Sequence, residues 1–409
     1  MIRKRGKLPV IDARSLGADC DSCPLDGQTP TAPTVPDHGA APRVTVLLDA
    51  PGDIEHIVGK AAQGRDGVWL NRVWRGLNVP REQAAVRNAT MCKPGEKAAE
   101  GTLRAAVEAC RPRLARELEC NGLAAQRPNQ VQPVQRHLVL VCGGKALQAV
   151  SGKTNIDDWR GFPVQPGPGF PLDTVYFPTY HPYFVSRKPQ YEHIFRRDLR
   201  LAWDYANGNC KPFAWPPLYL DNGEQAERFL YEICERLEAG EDIDIGVDVE
   251  TKGDWTTRLL LVGIATVEGS CSLLFPFSDE HLDAYARFIL AHPGATLVVQ
   301  NGNHDRLSLE LAGFRLGNKW WDTIVAGRIA YPDLPHDLGF LATLFMFVPR
   351  WKSEFHSGSS NDKKGDEGWG KYMEPALIDR FLKYNSLDAL SQVLMKAPLE
   401  RRLAFQPGK

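Results

Sequence analysis

Long apolar runs are missing from this chain. No stretch of its 409 residues approaches the ~20 consecutive apolar residues of a membrane-spanning helix, so a helical membrane anchor is not expected. The first ten residues, MIRKRGKLPV, are charged and lack an apolar core, so no secretory leader is expected. Net charge is nearly absent as well. With 49 Lys and Arg against 50 Asp and Glu, the chain as a whole has no basic excess to attract nucleic acid. Full cysteine pairing is impossible, because there are nine. An odd count without a leader points to a reducing cytoplasm, where grouped cysteines bind metals or clusters more often than they form disulfides. Internal repeats are also lacking.

What is present falls into two halves. The length suits two domains, and a hydrophobic content of 43% allows each a core. A helical stretch, YEHIFRRDLRLAWDYANG, ends at Gly208, and NCKPFAWPP then interrupts regular structure with three prolines. The expected division is therefore 1–208, a linker at 209–217, and 218–409. Residues 1–208 carry 28 basic and 21 acidic side chains, and residues 209–409 carry 21 and 29. The first half is thus net positive and suited to phosphates; Arg187, Lys188, Arg196, Arg197 and Arg200 are its candidate contacts. The second half is net negative, as a site neutralised by bound cations would be. Residues 25–42 are rich in Pro, Thr and Ala and read as an extended loop. Gly358 to Gly370 lacks apolar periodicity and reads as a mobile loop near the acidic site.

In the second half, acids recur in a telling order. Ile243 to Val249 reads as a buried strand. Asp248 and Glu250 lie two apart at its end and share a face. Leu297 to Val299 end a second strand, after which Asn301 and Asp305 lead into a helix. Tyr384 and Asp388 are four apart in a helical run, again on one face. A lone Asp-x-Glu is common by chance, and a single Asp is ordinarily a surface charge or a cap. The order and setting of all three motifs together resist that explanation. Converging carboxylates need a cation, and hard oxygen ligands select Mg²⁺ or Mn²⁺. Two such ions would clamp both oxygens of a phosphodiester displacement.

Residues 218–409 resemble the DEDD-type 3′–5′ exonucleases with tyrosine in the third motif, the likeness extending through WDTIVAGRIAYPDLPHDLGFLATLF to proofreading domains of family A DNA polymerases. The resemblance implies a ribonuclease H-like α/β fold, with Asp248, Glu250, Asp305 and Asp388 as ligands of two Mg²⁺ or Mn²⁺. It makes Tyr384 the residue that orients the attacking water and Asn301 a seat for the substrate strand. Asp322, of the Asp-Thr pair, is read as structural. Only Ala389 to Lys409 follow Asp388, so a free-standing exonuclease, or a proofreading factor serving a polymerase in trans, is expected. Its substrate would be single-stranded or frayed 3′ ends of DNA.

In the first half, Cys20 and Cys23 form a C-x-x-C in a loop, Cys92 follows a strand, and Cys110 lies on an amphipathic helix. Four thiolates of this kind suit zinc or an iron–sulfur cluster. Residues 18–207 resemble the family 4, iron–sulfur uracil-DNA glycosylases. The motifs are LDAPGDIE with Asp49, Pro51 and Gly52, then RNATMC with Asn88, and PTYHPYFVSR with His181 and Arg187. The resemblance implies an α/β/α fold and a [4Fe–4S] cluster on Cys20, Cys23, Cys92 and Cys110. It also implies an everted base read by Asn88 and cleaved with His181 as donor. A satisfied histidine and a turn asparagine are the ordinary alternatives for those two positions. The pocket departs from the family. Ala61 and Ala62 stand where proline and a base-stacking phenylalanine are usual, Asp49 replaces a glutamate, and Tyr183 replaces a small residue. Uracil excision, excision of another base, and a pocket kept only as a DNA-binding clamp all stay open.

Overall fold

The computed structural model describes residues 12–35, 42–75, 77, 79, 83–125, 136–220, 223–252, 258–277, 279–351 and 377–404. The segment 358–370 lies outside these. The chain divides into two compact units, Met1–Pro212 with Phe347–Pro349, and Phe213–Met346 with Arg350–Lys409. No helix of the described residues is long and apolar enough to cross a membrane.

The first unit is built on four parallel strands, β1 (Val44–Leu48), β2 (Ala84–Asn88), β3 (Leu138–Cys142) and β4 (Val175–Thr179), in the order β2-β1-β3-β4. Every residue of these strands is buried, as expected of a parallel sheet covered on both faces. Among the described residues, seven helices connect and cover them: α1 (Asp53–Val58), α2 (Arg65–Trp74), α3 (Glu100–Ala125), α4 (Gly144–Ser151), α5 (Ile156–Trp159), α6 (Pro182–Arg187) and α7 (Glu192–Ala206). In such sheets ligands gather beyond the carboxyl ends of the strands. Asp49, Asn88, Gly143 and His181 all stand at those ends. The Pro-rich segment that reads as a loop is stitched to the unit by backbone bridges, Pro30 to Cys92, Ala32 to Lys60 and Thr34 to Val86.

The second unit has six strands, β5 (Leu218–Tyr219), β6 (Ile243–Lys252), β7 (Arg258–Thr266), β8 (Gly269–Leu274), β9 (Ala295–Val299) and β10 (Trp320–Asp322). Their order is β10-β9-β6-β7-β8-β5, with β6, β7 and β8 antiparallel and β9 and β10 joining parallel. The helices are α8 (Glu224–Glu238), α9 (Glu280–Ala291), α10 (Asn303–Leu311), α11 (Thr323–Ala330), α12 (Leu338–Phe345) and α13 (Ile378–Ala404). Alternation along β6 decides what each face meets. Ile243, Ile245, Val247 and Val249 enter the core formed with α8 and α9. The opposite face carries Asp244, Gly246, Asp248 and Glu250 and meets α13.

Gly246 and Gly263 let α13 settle on that face. A Cβ on Gly246 would lie 2.1 Å from the carbonyl oxygen of Ala389, and one on Gly263 would lie 2.8 Å from Asn385 Oδ1. Lys396 of α13 pairs with Asp244 at 2.6 Å, which fixes the helix along the strand.

Candidate functional site

The second unit gathers its predicted acids at the end of β6. Glu250 on β6, Asp305 on α10 and Asp388 on α13 are buried at 7%, 6% and 3% exposure, and Tyr384 at 5%. Asp305 Oδ1 accepts the Val249 backbone N–H at 3.1 Å, which ties α10 to the strand between Asp248 and Glu250. Tyr384 bonds to Asp388 and lies in the field of Glu250 and Asp248. Burial, followed by those carboxylates, holds its phenol far above the ordinary range, so it stays protonated. Asp305 is pushed up to about 7 by burial, with Asp322 and Asp388 adding to the shift. Carboxylates from three remote segments therefore repel one another in a dry place. A bound cation would relieve that cost.

Amide and indole donors hold the acids as they stand. Asn385 Nδ2 donates to Asp248 Oδ2 at 2.9 Å, and Gln392 Nε2 donates to Asp248 Oδ1 at 3.2 Å. Trp351 Nε1 donates to Asp388 Oδ1 at 2.6 Å, its ring edge-on to Trp215. Among the described residues, no three His, Cys, Asp or Glu side chains are placed to close on a single ion. The acid set fits divalent metal by charge and burial.

Asp322 plays the structural part expected of it. Its carboxylate caps α11 at Ile324 N and accepts the N–H groups of Asn301 and Gly302 at 3.0 and 3.1 Å. Asn301 is held there in a left-handed conformation, φ 58°, exposed at the start of the turn into α10. Thr323 secures the same turn by donating to Val299 O at 2.9 Å.

In the first unit, Asp49, Asn88 and His181 sit at the carboxyl ends of β1, β2 and β4, with β3 between β1 and β4. His181 caps α6, its Nδ1 accepting the Tyr183 N–H at 3.1 Å. The neutral ring therefore carries its proton on Nε2, and Nε2 is buried without a partner. Asn88 is 5% exposed and its Nδ2 is likewise buried and unpartnered. Each of these unmet buried donors suits an acceptor on a ligand. Asp49 accepts the Ala146 N–H at 2.8 Å. Burial raises its pKa, against the opposing pull of His181. Gly143, at φ 102°, leaves it room, since a Cβ there would stand 2.7 Å from both carboxylate oxygens.

Gly52 closes over Glu55, whose Oε1 accepts the Gly64 N–H at 2.6 Å. Asp66, raised by burial, also feels His181 and Glu55, an acidic surround the sequence motifs do not announce. Ala61 is buried and Ala62 sits at φ 55°, so neither offers a ring to a base. Tyr183 is 48% exposed and bonds to Arg187 through its hydroxyl at 2.7 Å, so it lies at the surface. Of the candidate phosphate contacts, Arg196 is engaged by Glu192 and Val73 O, and Arg197 is largely buried beside Asp198.

Cys20, Cys23, Cys92 and Cys110 line one cavity of about 210 Å³. All four are free thiols. Burial raises the pKa of Cys20, Cys23 and Cys92, and Cys92 reaches about 11 with the neighbouring cysteines adding to the effect. They would ionise only against a cationic centre. Four thiols around one cavity are a donor set that could hold a metal centre. Arg113, buried on α3 one turn beyond Cys110, donates to the carbonyls of Asn88 and Ala89 at 3.0 and 2.9 Å, linking the cysteine-bearing helix to the carboxyl end of β2.

Several of these parts escape a sequence reading. Gln392 is signalled, since it lies four residues after Asp388 on the same helix face. Trp351, Arg113 and Asp66 carry no spacing signal.

Comparison with known proteins agrees with this division. Residues 36–206 match the uracil DNA glycosylase superfamily. Residues 224–404 match a 3′–5′ exonuclease family. No curated protein matches the chain. Similar solved structures include Escherichia coli RNase D, at 14% identity over 47% of this chain and 46% of that one, TM-score 0.33. The POL domain of Pol1 from M. smegmatis matches at 15% identity over 46% and 28%, TM-score 0.32. Trypanosoma brucei RNase D in a GMP complex matches at 16% over 44% and 57%, TM-score 0.35. The chain spans under half the length of the first two. A uracil DNA glycosylase superfamily match on the parallel α/β sheet is thus followed by a 3′–5′ exonuclease match on the mixed α/β sheet.

Proposed function

We propose that this chain, a uracil-DNA glycosylase-like domain followed by a 3′–5′ exonuclease domain, trims single-stranded or frayed 3′ ends of DNA and releases 5′-mononucleotides. The observation that carries this is the meeting of Asp248, Glu250, Asp305, Asp388 and Tyr384 at the end of β6. The four acids would hold Mg²⁺ or Mn²⁺, which when bound supplies charge neutralisation at the scissile phosphate. Tyr384 keeps its proton and therefore orients water by hydrogen bonding. Asn385 and Gln392 aim Asp248. Asn301, exposed at the turn before Asp305, would meet the strand near its 3′ end. The segment 209–217 is taken as the linker. A polymerase served in trans and a cytoplasmic setting belong to the same proposal, the latter favoured by the free thiols.

For the first domain we propose binding of DNA with one nucleotide turned in at the carboxyl ends of the strands that carry Asp49, Asn88 and His181. A [4Fe–4S] cluster on Cys20, Cys23, Cys92 and Cys110 would pin the N-terminal segment to α3. His181 Nε2–H and Asn88 Nδ2 are donors suited to the carbonyl oxygens of a uracil-like base, and the donated proton of His181 would stabilise charge on the departing ring. A second reading, a non-catalytic clamp, is favoured by Ala61 and Ala62, which remove the stacking ring.

Two assays test these proposals. Mg²⁺-dependent shortening of a 5′-labelled strand should disappear when Asp248 and Glu250 become Ala; retained shortening would refute the nuclease assignment. A uracil-containing duplex followed by alkaline cleavage should reveal abasic sites that His181→Ala abolishes. Absence of abasic product from the unaltered protein would leave the clamp.

A further inference from the structure

One buried side chain joins the cysteine-bearing helix to the carboxyl end of β2, and the proposed chemistry of the first unit makes no use of it. Arg113 is 1% exposed. Its Nη2 donates to the carbonyls of Asn88 at 3.0 Å and Ala89 at 2.9 Å, and its Nη1 donates to Glu117 Oε2 at 3.1 Å. The same Glu117 oxygen accepts from Arg87 Nη1 at 2.8 Å. Residues 113 and 117 of α3 are thus fastened to residues 87 to 89 of β2 by a network nearly closed to water, in which the side chains of Arg87 and Glu117 are 8% and 9% exposed. A planar guanidinium in such a place fixes several acceptors at once, which a point charge on a flexible stem does not. Each end of the network runs on into a candidate site. Cys110 lies one turn before Arg113 and Cys92 three residues after Ala89, and both line the cavity with Cys20 and Cys23. On the other side, the Ala89 N–H donates to Leu48 O at 2.8 Å and the Thr90 N–H to Asp49 O at 3.2 Å. The turn that leaves β2 is therefore held by the end of β1 on one side and by Arg113 on the other.

We infer that Arg113 is a positioning residue that couples occupancy of the four-thiol cavity to the order of the strand ends carrying Asn88 and Asp49. This rests on the metal-binding reading of the thiols given above. When the thiols hold a centre, α3 is pinned to the turn at two points, at Cys92 through the centre and at Asn88 and Ala89 through the guanidinium. Neither pin can shift without the other. When the thiols hold none, the guanidinium bonds lose that support, and the amides of Ala89 and Thr90 open more often. Such coupling is reciprocal, so a ligand that orders Asn88 also tightens the hold on the metal. Methionine at position 113 keeps an apolar stem of similar reach but releases both carbonyls, which cuts the link. Lysine keeps the charge and loses the fork, which weakens it.

The test compares the full chain as purified with the same chain stripped by ferricyanide and EDTA. Iron and zinc are counted by plasma mass spectrometry, and both samples are returned to one Mg²⁺ buffer. Amide hydrogen exchange is then resolved at Ala89 and Thr90. Stripping the unaltered chain should speed exchange there about fivefold or more. In Arg113→Met the two states should differ by less than about twofold. Arg113→Lys should give a ratio between those two, and it carries the test if the methionine variant does not fold. An Arg113 that serves packing alone would speed exchange in both states and leave their ratio as it was; an unchanged ratio in the variants overturns the coupling. Equal exchange in the loaded and stripped unaltered chain also overturns it, and leaves the metal reading standing. An unaltered chain that carries neither metal, and takes up neither Zn²⁺ nor Fe²⁺ with sulfide, overturns the metal reading and the coupling with it.

Discussion

Replacing Gly246 by Ala adds one methyl group to the strand that carries Asp248, on the face against α13. The new Cβ would stand 2.1 Å from the Ala389 carbonyl oxygen, whereas Cβ atoms essentially never come within 3.0 Å of another heavy atom. The obstacle is backbone, so no side chain can swing aside, and α13 must retreat by close to 1 Å. Overpacking of this kind costs about 1–3 kcal/mol. For a domain of this size that corresponds to a Tm lowered by roughly 2–10 °C. The larger effect falls on chemistry, because Ala389 is next to Asp388 and one turn from Asn385, the donor that holds Asp248. A misplacement near 1 Å costs on the order of a hundredfold in rate. Initial rates on a 5′-labelled strand, with far-UV dichroism to confirm a folded protein, provide the measurement. A folded Gly246→Ala variant with the unaltered rate and Tm would refute the claim that close strand–helix approach builds the site.

Four further outcomes follow from other parts of the molecule. Asp322→Ala removes the acceptor for the N–H groups of Asn301, Gly302 and Ile324. It should cost about 1–2 kcal/mol as a lost cap, seen in urea denaturation, and slow the nuclease through Asp305. Cys110→Ser should abolish visible absorbance of the purified protein and lower the Tm of the first unit; a colourless unaltered protein containing zinc would overturn the cluster. His137 is buried against Thr45, and burial lowers its pKa to about 4. The unfolded chain then binds more protons than the native one between about 6.5 and 4, so this contribution is complete above 6.5 and is lost as pH falls through that window. Its size is on the order of 3 kcal/mol, and His137→Gln should flatten the acid limb of a stability–pH curve. Trp351→Phe should leave Asp388 without its indole donor and shift the Mn²⁺ dependence of the rate, while Trp215 keeps the ring in place.

Local pattern made much of the candidate acidic site legible. The β-branched run before Asp248 forms the buried β6, its alternation puts Asp248 and Glu250 on one side, and the four-residue spacing of Tyr384 and Asp388 survives as one face of α13. The carboxyl-end loops of the first sheet likewise carry Asp49, Asn88 and His181 where their motifs place them. What was not legible depends on contacts between distant segments. Trp351 reaches Asp388 across 37 positions, and nothing near Trp351 in sequence marks it. Gly246 reads as an ordinary weak spot in a strand until α13 is laid over it. Arg196 and Arg197 look like phosphate ligands in a basic helix, yet α7 turns them toward Val73 and Asp198. Asp66 reads as a helix-start acid, and only the fold sets it beside His181.

Manganese titration followed by electron paramagnetic resonance tests the central claim most directly. The account predicts two bound Mn²⁺ per chain, with Asp248→Ala and Asp388→Ala each losing at least one while the fold is kept. Equal Mn²⁺ occupancy in the unaltered protein and both variants would contradict it.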